Sequence, residues 1–112
     1  MAPKEVEGDN RPVPLTAEEL AEALRGLPYW SGDRDGISRT VLLPPDDLDR
    51  VLPRLDRLRE ETGRAPRVAR PRPGAAVLTV FTTSVSAVTR RDIDLAHRVD
   101  RAVDQAGGGR AG

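Results

Sequence analysis

An α+β domain, ordered helix, two strands, helix, two strands, helix, is the fold class this sequence predicts. Three observations point to it: apolar residues at helical spacing in three separate stretches, β-branched runs bounded by Gly and Pro between them, and a length of 112 residues that suits one domain. Helices placed between strand pairs favour a sheet covered on one face.

The first helix is read from "LTAEELAEALRGLPYW". Thr16 and Glu19 stand at capping-box spacing, Leu20, Leu24 and Leu27 recur on one side, and Gly26 and Pro28 end the pattern. "GISRTVLL" alternates between Gly36 and Pro44 and reads as a strand, paired with a short segment around Tyr29 and Trp30. In "DDLDRVLPRLDRLREETG", Leu48, Val51, Leu52, Leu55 and Leu58 keep helical spacing, acids come early, and Gly63 is the stop. Pro53 inside this run lacks an N–H, so it should kink the helix or move its start. "PRVARPRPGAAVLTVFTT" reads as two strands joined at "RPRPG", with Pro71 and Pro73 confining the first to an edge and the second running from Ala75 to Thr83. The last helix, in "TRRDIDLAHRVDRAVDQAGG", takes Thr89 as N-cap, Asp92 at N3, a stripe of Ile93, Ala96, Val99 and Val103, and Gly107 as its end.

Residues 1–14 lack periodicity and are rich in Pro and charge, and residues 107–112 are Gly-rich. Both are expected to be disordered, an N-terminal arm and a C-terminal tail around a folded unit of residues 15–106. The core is aliphatic, since the chain has one Phe, one Trp and one Tyr. So thin a core favours burial by self-association, giving a homo-oligomer, dimer or tetramer.

Eighteen basic residues balance eighteen acidic ones, so no nucleic-acid partner is expected. Cysteine is absent, which removes disulfides, thiol nucleophiles and thiolate metal sites. No long apolar run or signal-like start is present, so neither a membrane span nor secretion is expected and the location is read as cytoplasmic. Neither a metal nor a cofactor is expected, because the lone histidine, His97, cannot build a histidine metal cluster or a Ser-His triad, and no Gly-rich phosphate loop occurs. His97 itself reads as a helix residue near a favourable C-terminal dipole.

The element order and particular residues resemble the pterin-4a-carbinolamine dehydratase family over Leu15 to Val103. "LTAEELAEALRGLPYW" matches the family's opening helix leading to a Trp, "GISRTVLL" its second strand, and "VTRRDIDLAHRVD" its closing "LTxxDxxLAxxID". The resemblance implies a four-stranded antiparallel sheet with three helices packed on one face, α-β-β-α-β-β-α. It also implies a His-His-Pro motif after the second helix and a third histidine in a Thr-His pair at the end of the last strand. Here the first motif reads Arg64, Ala65, Pro66, and the second reads Thr82, Thr83, followed by Ser84. Family histidines shuttle protons as the 4a-hydroxyl leaves the pterin. Arginine stays charged and alanine exchanges nothing, so ordinary dehydratase activity is not expected.

Two functions follow. The first is a repurposed small-molecule site for an anionic or planar ligand, carrying out dehydration or cyclisation as a lyase or cyclase without histidine. Arg64, Asp92 and Thr83 are its candidate catalytic residues, and Arg64, Arg67, Thr82, Thr83, Ser84, Arg91 and Trp30 its candidate ligand contacts. Capping alone also explains Asp92, and solvated edge charge also explains Arg67, Arg70 and Arg72. The second is a non-catalytic scaffold with a protein client. Members of the resembled family serve as dimerisation cofactors of a transcription factor, and a similar fold serves as an assembly chaperone for rubisco.

Overall fold

The computed structural model describes residues 12–106. Its elements are α1 (Ala17–Arg25), β1 (Ser31–Asp33), β2 (Gly36–Leu42), α2 (Pro45–Thr62), β3 (Arg67–Arg72), β4 (Ala75–Val80) and α3 (Arg90–Ala106). That chain order is the α+β order read from the sequence, and the strands form one antiparallel sheet in the order β1-β2-β4-β3. The expectations for residues 1–11 and 107–112 lie outside the described residues. Of the expected arm, Pro14 pairs with Thr89 and the Leu15 N–H donates to the Val88 carbonyl at 2.9 Å, so the ordered chain begins before residue 15.

Alternation decides which face of the sheet is covered. Ile37 and Val41 of β2 and Ala76, Leu78 and Val80 of β4 are buried, and they pack with Leu48, Val51, Leu55 and Leu58 of α2 and with Ile93, Ala96, Val99 and Val103 of α3. Thr40 and Leu42 point the other way and are exposed. Each fully buried Leu or Ile contributes about 1.5–3 kcal/mol relative to exposure.

Local signals act as the sequence indicated at most ends. Thr16 and Glu19 close a reciprocal capping box, at 2.9 and 3.1 Å. Pro45 opens α2 as its first residue, with Asp46 and Asp47 in the first turn, and the helix runs on through Pro53 without ending. Pro71 sits where β3 loses register with β4, between Ala69 and Arg72, as a residue without an N–H requires.

Three boundaries differ. β1 is Ser31–Asp33, after Tyr29 and Trp30, because Trp30 is buried in the core and cannot extend an exposed edge. β4 ends at Val80 rather than Thr83, because Thr82 turns into a tight bridge with Ala87. Thr89 precedes α3, but its hydroxyl is turned towards Thr82 and Asp92.

Gly63 ends α2 with φ +80°, its N–H donating to the Arg59 carbonyl at 2.8 Å. A Cβ there would touch nothing within 4 Å, so a side chain is opposed by backbone conformation alone. Gly63→Ala should therefore lower stability by about 1–2 kcal/mol, seen as a fall of several degrees in melting temperature. An unchanged melting temperature would mean the left-handed turn is not needed to place the residue that follows it.

Candidate functional site

That residue is Arg64. The Thr62 hydroxyl donates to the Leu58 carbonyl at 2.8 Å and accepts from the Arg64 N–H at 3.2 Å, locking the turn. The guanidinium then crosses to the start of α3. Its Nη2 lies 2.6 Å from Asp92 Oδ1, 3.2 Å from Thr82 Oγ1 and 3.4 Å from the Phe81 carbonyl oxygen.

Asp92 has no solvent exposure, and a carboxylate so placed must find all its partners inside the protein. Oδ2 accepts from the Thr82 hydroxyl at 2.7 Å and from the Thr89 N–H at 2.8 Å, with the Thr89 hydroxyl at 3.3 Å. The two threonine hydroxyls are 2.9 Å apart. Asp92 thus caps α3 through the Thr89 amide, as its position suggested, and at the same time anchors Arg64.

The structure brings together Arg64, Thr82 and Asp92, three of the residues singled out from the sequence. Asp92 is sealed from solvent, and its carboxylate oxygens contact Arg64, Thr82 and Thr89. Beside the cluster lies a hollow of about 280 Å³ whose lining includes Arg59, Arg64, Arg67, Phe81, Thr82 and Thr83. Arg67 stacks over the Phe81 ring, 4.7 Å from its centroid. Arg64 also borders a second hollow of about 340 Å³, with Arg91, Asp94, Leu95 and Arg98. The Arg64 side chain is one-quarter exposed, and its Nη1 is buried without a hydrogen-bond partner.

Two candidates lie elsewhere. Ser84 is exposed in the Thr82–Ala87 turn and lines neither hollow. Trp30 is buried and donates from Nε1 to Asp100 Oδ1 at 2.9 Å, so it is not presented for stacking. Asp100 also takes Arg39 at 2.5 Å, and the exposed Tyr29 lies over that guanidinium. Asp100 stands eight residues along α3 from Asp92, roughly 12 Å. Sequence reasoning missed Arg59 and Phe81; Arg59, one turn before the Gly63 stop, carried the only available signal. Among the described residues no group of three His, Asp or Glu side chains is arranged to hold a metal ion.

Breaking the ion pair from one side should be costly. Asp92→Ala strands the guanidinium and removes the helix cap, with an expected loss of about 3 kcal/mol or more in urea unfolding followed by Trp30 fluorescence. Arg64→Met/Asp92→Ala should cost less than the sum of the single changes, by about 1–3 kcal/mol. Strict additivity would show that the two charges do not stabilise each other.

A family model described as pterin 4 alpha carbinolamine dehydratase matches residues 13–102. A Nocardia farcinica (strain IFM 10152) protein, named as a candidate pterin-4-alpha-carbinolamine dehydratase, is 36% identical over 89 residues, covering 77% of this chain and 90% of the relative. The crystal structure of a transcriptional coactivator/pterin dehydratase from Brucella melitensis superposes with a TM-score of 0.74 at 23% identity, covering 81% of this chain and 99% of the other.

Proposed function

The chain belongs to the pterin-4-alpha-carbinolamine dehydratase family, and from that premise we propose that its site binds a small anionic ligand through Arg64 and does not move protons through histidines. The observation that carries this reading is the placement of Arg64: one terminal nitrogen is spent on Asp92 and Thr82, the other is buried without a partner, and the side chain, one-quarter exposed, borders two open hollows.

The whole chain contains one histidine, His97, so no single subunit can assemble a set of histidines. His97 lies on α3 five residues past Asp92, about 140° around the helix, and its ring faces the end of α1, where a Cβ on Gly26 would meet Cε1 at 3.8 Å. In the hollow beside β4, Arg59, Arg64 and Arg67 supply positive charge, Thr82 and Thr83 hydroxyls, and Phe81 a ring. Those groups suit a carboxylate or phosphate on a small, flat molecule. If the site is catalytic, the reaction is a dehydration or cyclisation in which Arg64 stabilises negative charge on the substrate and Thr83, exposed at the rim, offers it a hydrogen bond. Asp92 holds Arg64 in position.

A second reading, a non-catalytic scaffold for a protein client, draws on the exposure of every residue of β3 and on the coactivator role in the name of the Brucella melitensis protein. Among the described residues no helix is long and apolar enough to cross a membrane.

Thermal-shift titration with pterins and with a panel of phosphate and carboxylate metabolites separates the readings, because a ligand that binds only the folded state raises the melting temperature. At least one anion should stabilise the protein, and Arg64→Lys and Arg67→Gln should each weaken that shift; Arg67→Gln leaves the Asp92 cluster intact. Carbinolamine dehydration should remain at the uncatalysed rate. No shift with any anion, or measurable dehydratase turnover, would overturn the proposal.

A further inference from the structure

The sequence repeats a five-residue pattern that the Arg64 site does not use. "RLDRL", residues 54–58, lies in α2 and "RVDRA", residues 98–102, in α3. In both, the second residue is buried, Leu55 at 2% exposure and Val99 at 0%, so the two helices turn the same side of the pattern into the core. The two arginines of each, three residues apart, then share one face beside the seam.

The helices meet in opposite directions there. The Arg54 Nη1 donates to Gln105 Oε1 at 3.3 Å, and one hollow of about 210 Å³ is lined by residues 54–61 of one helix and 98–105 of the other. Each helix contributes the same series at i, i+3, i+4 and i+7: arginine, arginine, apolar, polar. α2 gives Arg54, Arg57, Leu58 and Glu61, and α3 gives Arg98, Arg101, Ala102 and Gln105. Leu58 and Ala102 are nearly buried and form the floor. With Arg54 against Gln105, the antiparallel seam sets Arg98 towards Glu61 and brings Arg57 and Arg101 to its middle.

Four arginines against one glutamate leave three positive charges uncompensated in that lining. Among the described residues Arg57, Arg98 and Arg101 make no ion pair, and Arg54 is satisfied only by an amide. Like charges gathered round a concave, partly apolar floor raise the local potential and concentrate anions. A single carboxylate engages one guanidinium fork, whereas Arg57 and Arg101, on opposite helices, match an anion with oxygens on both sides.

We propose that the seam between α2 and α3 is a second binding site, separate from the Arg64 hollow beside β4, for a compact polyanion carrying two or more linked phosphate groups. Arg57 and Arg101, each preceding a floor residue, are its principal contacts, and Arg54 and Arg98 are its flanks.

The test is calorimetric titration of the full chain with inorganic pyrophosphate, at low and at moderate salt. Wild-type protein should bind, more weakly as salt rises, and Arg57→Gln/Arg101→Gln should lose roughly tenfold or more in affinity. Arg57 and Arg101 are both exposed, so the variant should melt as the wild type does. Arg72→Gln, which removes one positive charge from the exposed edge strand, should bind as the wild type does. Equal loss in Arg72→Gln and in the double variant would reduce the effect to surface charge and overturn the site, as would no binding at low salt. Loss confined to Arg64→Lys would also overturn it, while leaving the Arg64 reading in place.

Discussion

The Asp92 carboxylate is the constraint around which this end of the molecule is arranged. It is fully buried at the start of α3, and an ionised group in that position is tolerated only when charge and hydrogen bonds surround it. Three separate parts of the chain supply them. The loop after α2 brings Arg64, the end of β4 brings Thr82, and the residue before α3 brings the Thr89 amide and hydroxyl. Satisfying one carboxylate therefore joins α2, the sheet and α3 at a single point.

α3 has a second attachment of the same kind. Asp100 accepts from Arg39 of β2 and from Trp30, and neither contact is fully exposed to water. Two acids on one helix, each holding an arginine from a different part of the fold, fix α3 on the sheet in translation and rotation, beyond what an apolar stripe alone specifies. The two clusters differ in what lies next to them. Arg39 is covered by Tyr29, whereas Arg64 borders two hollows. Of the two acid–arginine clusters, the Asp92 one is therefore the one that adjoins open space, and the proposed site is placed there.

Much of this was legible in the sequence wherever a local rule acts. The capping box at Thr16, the stop at Gly63 and the apolar stripe of α3 depend on neighbours a few residues away, and each stands as read. The site was legible in part. Arg64, Thr82 and Asp92 came from matching motif positions, but nothing local says that Asp92 is sealed or that Trp30 is turned into the core towards Asp100. Both depend on partners tens of residues distant. Thr89 shows the limit well: its amide is used in capping as expected, while its hydroxyl is taken by Thr82 and Asp92, a choice set by where β4 ends. The duplicated arginine pattern was in plain view, yet its meaning required knowing that the two helices run in opposite directions across one seam.

The chemistry open to the Arg64 site follows from what an arginine is. A histidine changes its charge near neutral pH and so can both give and take a proton within one turnover. A guanidinium stays protonated throughout, and here its partner carboxylate is closed to solvent. The pair is a fixed dipole, held rigid by two threonines, whose positive end reaches the hollows. Such an element stabilises negative charge without reorganising, which favours binding an anion or one formed from it. In the reaction proposed for this site, any proton that moves would have to travel through the ligand itself, a threonine hydroxyl or water, so a leaving group there would have to depart with little help from an acid.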